Sequence, residues 1–167
     1  MRTDASGRSL PRLLCASKNE VHMATCQYEL VDPPSEPRAR ELWLQHAAGF
    51  ILIEDIRRYA MGRIEPGLSA EAIAATKKGI DDAVYGLMMV IDGVSGRISN
   101  EKHDVFIDFV VRLAKHQDSK TDRVESEADL RHGDGMCMGY HGWLEGDYGK
   151  HPVAVARPEE ADGEPQA

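Results

Sequence analysis

Two stretches of the chain repeat apolar residues at steps of three and four, and this periodicity constrains the fold more than any other feature of the sequence. The prolines around Ser35 predict that the first helix begins near residue 36, since proline is tolerated in a first turn and serine caps free amides. This stretch runs to Met61, with charged residues on its remaining surface (Glu54, Asp55, Arg57 and Arg58). The second stretch covers about residues 70–92 and begins after a cap at Ser69. Both predict amphipathic helices.

The two helices are joined by a short connection that contains Glu65, Pro66 and Gly67. A connection of only a few residues favours antiparallel neighbours. We therefore expect an antiparallel two-helix hairpin whose apolar faces meet. The side chains expected to pack against each other are Phe50, Ile53 and Ile56 on the first helix and Ile80, Val84, Leu87 and Ile91 on the second.

Residues 105–113 change period and alternate, with many β-branched and aromatic side chains, which predicts a strand. Residues 122–130 predict a weaker, more exposed strand that returns after a polar turn at 117–120. An isolated hairpin is marginally stable in water, so its apolar face should rest on the helices. The predicted fold class is α+β: the two-helix hairpin packed on a small antiparallel sheet, with a glycine-rich ordered loop near the C-terminus.

Both ends of the chain lack a periodic apolar pattern. We expect residues 1–22 to be either a disordered leader or an upstream extension of the true reading frame. We expect residues 158–167 to be an acidic disordered tail. The remaining residues, 23–157, are predicted to form a single α+β domain. Its length is ordinary for a domain with one hydrophobic core.

Charge and composition exclude several classes of protein. With 20 Lys and Arg against 28 Asp and Glu, the net charge of −8 disfavours generic nucleic-acid binding. No apolar run approaches the roughly 18–20 residues that cross a bilayer, so we expect a soluble protein without a membrane partner. Three cysteines form no even set and no paired motif, which favours a reducing compartment and a cytoplasmic location.

The segment 132–147 is the main functional candidate, because six of the 15 glycines lie between residues 133 and 149 among aromatic side chains. We expect an ordered loop that folds back over the core, since aromatics seek burial while glycines permit unusual backbone conformations. A purely structural role is the first interpretation. The second is a protein-binding surface, with anchors and a charged rim at Tyr140, Trp143, Glu145 and Asp147.

A third interpretation of the same segment is a metal or catalytic site. His132, Asp134, Cys137 and His141 are residue types that bind Zn²⁺, although their spacing matches no zinc motif. Cys137 beside His132 or His141 is also a candidate nucleophile, with a small buried hydrophobic residue as the alternative. Gly133-Asp134-Gly135 lacks the flanking residues of a phosphate-binding loop, so no cofactor is expected.

The second helix carries carboxylates outside its apolar stripe. Asp81 and Tyr85 lie one turn apart and can meet on the same face. The three carboxylates of this helix, Asp81, Asp82 and Asp92, suit a cation, a basic partner or simply solvent. Asp92 lies at the C-terminal end, where a negative charge opposes the helix dipole. Unless Asp92 is merely exposed, its partner must lie elsewhere in the fold.

These features favour a small acidic, non-enzymatic module that binds or inhibits a basic protein, in the manner of an immunity protein. The alternative is a small metal-dependent hydrolase that uses the 132–147 segment. The third hypothesis is a structural or assembly subunit, which would explain the two strongly apolar helices if their faces exceed what one small sheet can cover. Such apolar faces are also compatible with a homo-oligomer.

Overall fold

The computed structural model describes residues 24–116 and 123–155, so the predicted leader, the predicted turn at 117–120 and the predicted tail lie outside the described residues. The described chain combines helices with three two-stranded antiparallel sheets, which is an α+β fold. The helices are α1 (Pro37–Ile51), α2 (Tyr59–Gly62), α3 (Ala70–Ile91) and α4 (Met136–Leu144). The strands are β1 (Tyr28–Leu30), β2 (Arg97–Ser99), β3 (Asp104–Phe106), β4 (Val110–Lys115), β5 (Arg123–Asp129) and β6 (Val153–Val155).

The first predicted helix forms, with a change of helical type inside it. Pro37 occupies the first turn of α1, and the carboxylate of Glu36 rather than Ser35 accepts the free backbone N–H groups of Arg38 and Ala39. The helix then continues directly through a π-helical segment, Leu52–Arg58, into α2. A π turn contains more residues than an α turn, so side chains after position 52 leave the stripe that α-helical spacing assigns to them.

The main core confirms part of the predicted helix packing. Val84, Met88 and Ile91 of α3 are buried in one cluster with Phe50 and Ile53. Ile80 and Leu87 pack at the edge of this cluster. Ile56 was expected in this core but is 41% exposed, and it lies in the π-helical segment, where α-helical spacing no longer assigns side chains to faces. The finer expectation, an antiparallel two-helix hairpin on one sheet, remains a prediction.

The predicted strand at 105–113 is divided into two strands in different sheets. β3 pairs with β2, whereas β4 pairs with β5, and residues 107–109 separate them. The break is held by other hydrogen bonds: Leu130 N–H donates to the Phe109 carbonyl at 2.9 Å, and the Arg131 guanidinium donates to the Ile107 carbonyl at 3.1 Å. The alternating pattern predicted that this stretch is extended, but it could not predict these hydrogen bonds to residues distant in sequence.

The β4–β5 sheet rests on α1 through a second, smaller core formed by Trp43, Leu44, Leu113 and Ala128. This agrees with the expectation that a hairpin needs helical support. β1 pairs with β6 and joins the two ends of the described chain. Within the described ranges, the helices are all too short or too polar to cross a membrane.

Candidate functional site

The segment predicted as a glycine-rich loop contains α4. Gly135 precedes the helix with a φ of +96°, a conformation that favours glycine. Glycine offers no capping side chain, and Asp92 supplies the cap instead: its carboxylate accepts the N–H of Met136 at 2.6 Å and of Cys137 at 2.8 Å. Asp92 therefore has the distant partner expected from its position, because its charge favours the positive end of α4.

Replacing Asp92 by alanine should lower the free energy of unfolding by about 1–2 kcal/mol, because two helix N-terminal amides lose their acceptor. Asp92→Asn keeps one acceptor oxygen without the charge and should cost less. Urea denaturation followed by circular dichroism measures both. If Asp92→Ala is as stable as the unchanged protein, Asp92 does not cap α4.

Tyr140 and Trp143, predicted as anchors for a partner, are core residues. They are 3% and 2% exposed, so neither offers the surface area of an interface anchor in this conformation. The Trp143 indole lies between Gly49 of α1 and Gly139 of α4, and a Cβ built on Gly49 would lie 2.6 Å from the ring. Trp143 covers Gly139 because helical side chains lean toward the preceding turn. The glycines in this region therefore allow two helices to enclose an indole.

Trp143 also fixes the protonation state of a partly buried histidine, His46. Its indole N–H donates to His46 Nδ1 at 2.9 Å, so that nitrogen must be unprotonated. Burial lowers the pKa of His46, against a weaker opposing effect of the nearby Asp147 and Asp134 carboxylates. The neutral imidazole is the form that the fold requires.

Stability should consequently depend on pH through His46. Below about pH 6.5 the unfolded chain binds a proton at this residue that the folded chain resists, so the free energy of unfolding should decrease as the pH is lowered through that value. Urea denaturation across a pH series should show a smaller decrease for His46→Gln than for the unchanged protein. His103→Gln, at an exposed position, serves as the control and should preserve the original profile. Identical profiles for the unchanged protein and His46→Gln would exclude this role.

Cys137 does not have the environment of a nucleophile. Burial, together with the adjacent Asp92 carboxylate, raises its pKa to about 11. The thiol is therefore protonated at neutral pH, whereas nucleophilic attack requires the thiolate. The alternative interpretation, a small packed side chain at the start of α4, fits this environment better.

The four candidate metal ligands are directed to different neighbours. Asp134 forms an ion pair with Arg38, and its backbone N–H donates to the buried Gln45 side chain at 2.8 Å. His132 is largely exposed, and His141 lies against the rings of Tyr85 and Tyr140. Across residues 24–116 and 123–155, no three His, Cys, Asp or Glu side chains are grouped so that they could hold a metal ion.

The two predicted rim residues, Glu145 and Asp147, are exposed just after α4. The Asp147 carboxylate accepts the N–H of Gly149 at 2.9 Å, which stabilises the turn that leads to buried Tyr148. The structure thus separates the predicted protein-binding set: its two aromatic members are internal and its two acidic members face solvent.

Sequence reasoning missed a cleft of about 500 Å³ beside the π-helical segment, lined by Phe50, Glu54, Arg58, Glu145 and Tyr148 among others. Glu54 was placed on the solvent face, yet it is only 8% exposed and forms an ion pair with Arg58. The i,i+4 spacing of these two residues was the available signal. Burial and the Glu54 charge raise the pKa of Tyr148 to about 12, so its phenol stays protonated. Paired and protonated groups of this kind suit binding or structural support better than acid–base catalysis.

A second feature that the sequence did not predict is the open face of the β2–β3 hairpin. Ile98 lies directly opposite Val105, and Ile107 follows two positions later, with exposed fractions of 75%, 66% and 56%. Phe106 points to the other side, where the Arg131 guanidinium lies 4.6 Å from its ring centroid. Arg131 therefore packs against Phe106 on one side of the hairpin, while Ile98 and Val105 on the other side are open to solvent.

Comparison with known proteins gives this chain no family, because no family model, no curated protein and no solved structure matches it.

Proposed function

We propose that the protein is a non-enzymatic protein-binding module and that the aliphatic face of the β2–β3 hairpin is its main contact surface. The observation that carries the proposal is the exposure of the cross-strand pair Ile98 and Val105 on one side of a two-stranded ribbon, with exposed Ile107 just after β3. Contiguous exposed apolar groups of this kind commonly mark interaction sites. A two-stranded ribbon is also marginally stable alone, so a partner that covers it would order it further.

The energetic gain from such a contact is substantial. Burying one large aliphatic side chain contributes roughly 1.5–3 kcal/mol, so covering all three would contribute several kcal/mol before the costs of association. The partner is proposed to be basic, because a net charge of −8 attracts a positively charged protein at long range and accelerates its encounter. An inhibitory, immunity-like role is one form of this function.

A binding role is also supported by the chemistry of the 132–147 segment. The raised pKa of Cys137 argues against a nucleophile, and the separation of His132, Asp134 and His141 argues against a shared metal ion. The metal-dependent hydrolase thus has no support from the described residues.

The experiment isolates the full chain with an affinity tag from its native cells and compares the unchanged protein with Ile98→Glu. The control is Val124→Glu, which adds the same charge to another exposed β-branched position, 48% exposed on β5. We expect the unchanged protein and the control to retain one basic protein in near-equal amounts, and Ile98→Glu to lose most of it.

All three proteins should unfold at similar temperatures, since both substitutions are at exposed positions. Raising the salt concentration should weaken retention, because exposed charges are screened. Equal retention by Ile98→Glu would contradict the proposed surface. Failure of the unchanged protein to retain any basic partner would contradict the proposed function.

A further inference from the structure

A small pocket between α3 and α4 combines aromatic rings with carboxylates. It has a volume of about 290 Å³ and is lined by Asp81, Asp82, Tyr85, Tyr140, His141 and Leu144. The ring centroids of Tyr85 and Tyr140 are 5.6 Å apart, and each lies 5.8 Å from that of His141. The rings are inclined to one another by 40° to 67°, so they form adjoining walls rather than a stack.

Part of this pocket is held rigidly by the core. Tyr140 is 3% exposed, and its hydroxyl donates to the backbone carbonyl of Asp81 at 3.2 Å, which ties α4 to α3. Tyr85 is half-buried on α3, one turn after Asp81. Because these walls are already in place, a ligand would bind without the cost of ordering them.

The charges around the pocket leave one carboxylate available. Asp81 pairs with Arg57 at 2.7 Å in a partly buried contact. Asp82 pairs with Lys78 at 2.6 Å, but the two side chains are 65% and 75% exposed. Such an exposed pair on one helix contributes little, so another cation can replace the Lys78 ammonium. Asp82 and the aromatic faces then both favour positive charge.

We infer that this pocket binds an alkylammonium group, carried either by a lysine side chain or by a free amine. Aromatic walls beside a carboxylate recognise a cation that also has an apolar body. An anion would meet Asp81 and Asp82, while a bare metal ion would find a single available carboxylate, too few oxygen ligands to hold it. The pocket is distinct from the β2–β3 face, so the inference holds whether or not that face binds a protein.

The test is an NMR titration of the full chain with two probes, n-butylammonium and a blocked Gly-Lys-Gly peptide, at neutral pH. The neutral counterparts are n-pentanol and the same peptide with norleucine. We expect saturable shifts of the Tyr85, Tyr140 and His141 ring signals with the cationic probes only. Saturation by both cations indicates recognition of the ammonium itself, and saturation by the peptide alone indicates recognition of a protein lysine.

Substitutions in and beside the pocket test which side chains bind the cation. Asp82→Asn and Tyr85→Leu should each weaken the affinity by about fivefold or more, the size expected for losing a charge partner or a cation–π wall. Lys78→Ala should strengthen binding, because it removes the competing ammonium. Lys77→Ala removes a neighbouring charge that lines no part of the pocket and should leave the affinity unchanged.

Three results would overturn the inference. The first is an absence of saturable shifts at the three rings with either cation. The second is equal binding of the neutral probes, which would show that the pocket is only apolar. The third is an unchanged affinity in Asp82→Asn, provided that its amide spectrum shows the native fold.

Discussion

Trp143→Ala is expected to lower the free energy of unfolding by about 3–5 kcal/mol, the usual cost of deleting a large buried aromatic side chain. The indole is 2% exposed, fills the space between Gly49 and Gly139, and donates to His46. Its loss creates a cavity and leaves His46 Nδ1 without its donor. Urea denaturation followed by circular dichroism measures the effect. A cost under about 0.5 kcal/mol, typical of surface positions, would show that Trp143 is exposed in solution.

The glycines around Trp143 provide a matched test of the same packing. Glycine to alanine in a helix normally stabilises by about 0.5–1 kcal/mol. Gly79→Ala on α3 should do so, because a Cβ there meets nothing within 4 Å. Gly139→Ala should destabilise instead, since its Cβ would overlap the Trp143 ring. In a Trp143→Leu background the penalty at Gly139 should largely disappear, and its persistence would point to another cause.

Met88→Ala is expected to cost about 2–5 kcal/mol, because Met88 is completely buried in the main core. Leu87, which the sequence pattern placed in that core, is only partly buried and should cost less when truncated. Thermal and urea denaturation of both variants gives the order of the two costs. A larger cost at Leu87 would mean that α3 presents a different face to its neighbours.

The existence and limits of the long helices were predictable from sequence because their apolar spacing and punctuation agree. Ser69 caps α3 by accepting the N–H of Ala72 at 3.2 Å, and Gly93 follows its end with a φ of +70°. The π-helical segment was not predictable in this way, since its residues keep an α-like pattern of apolar and charged positions. Within that segment the apolar Ile56 is 41% exposed and the charged Glu54 only 8% exposed, the reverse of what their residue types suggest.

The 132–147 segment shows why composition misleads. Frequent glycine is typical of irregular loops. In α4, however, Gly139 lacks a side chain at a position where the Trp143 indole packs against the backbone. The four-residue spacing of Gly139 and Trp143 was a helical signal within the sequence. The N-terminal cap was beyond local reasoning, because it comes from Asp92, 44 positions before Met136. The need of Asp92 for a distant partner was nevertheless deducible from its place at the end of α3.

The exposed face of the β2–β3 hairpin could not be predicted either, because the local sequence pattern fits a covered strand equally well. Residues 105–113 alternate as a half-buried strand should, and the pattern alone assigns Val105 and Leu113 to one covered face. In the fold Leu113 is buried against α1, whereas Val105 is 66% exposed. At the break between β3 and β4, Arg131 contacts Asp108 and Ile107, and such contacts between residues distant in sequence are not visible in a local pattern.

Residues 136–144 form a helix packed in the core, so partner binding must use another surface. Amide hydrogen exchange of the full chain, resolved by residue, tests this most directly. We expect the backbone N–H groups of Tyr140 and Trp143 to exchange at least about a hundredfold more slowly than those of exposed loops, because they open only with the core. Exchange of both amides at the rate of an unstructured peptide would contradict it and would restore the segment as an exposed loop.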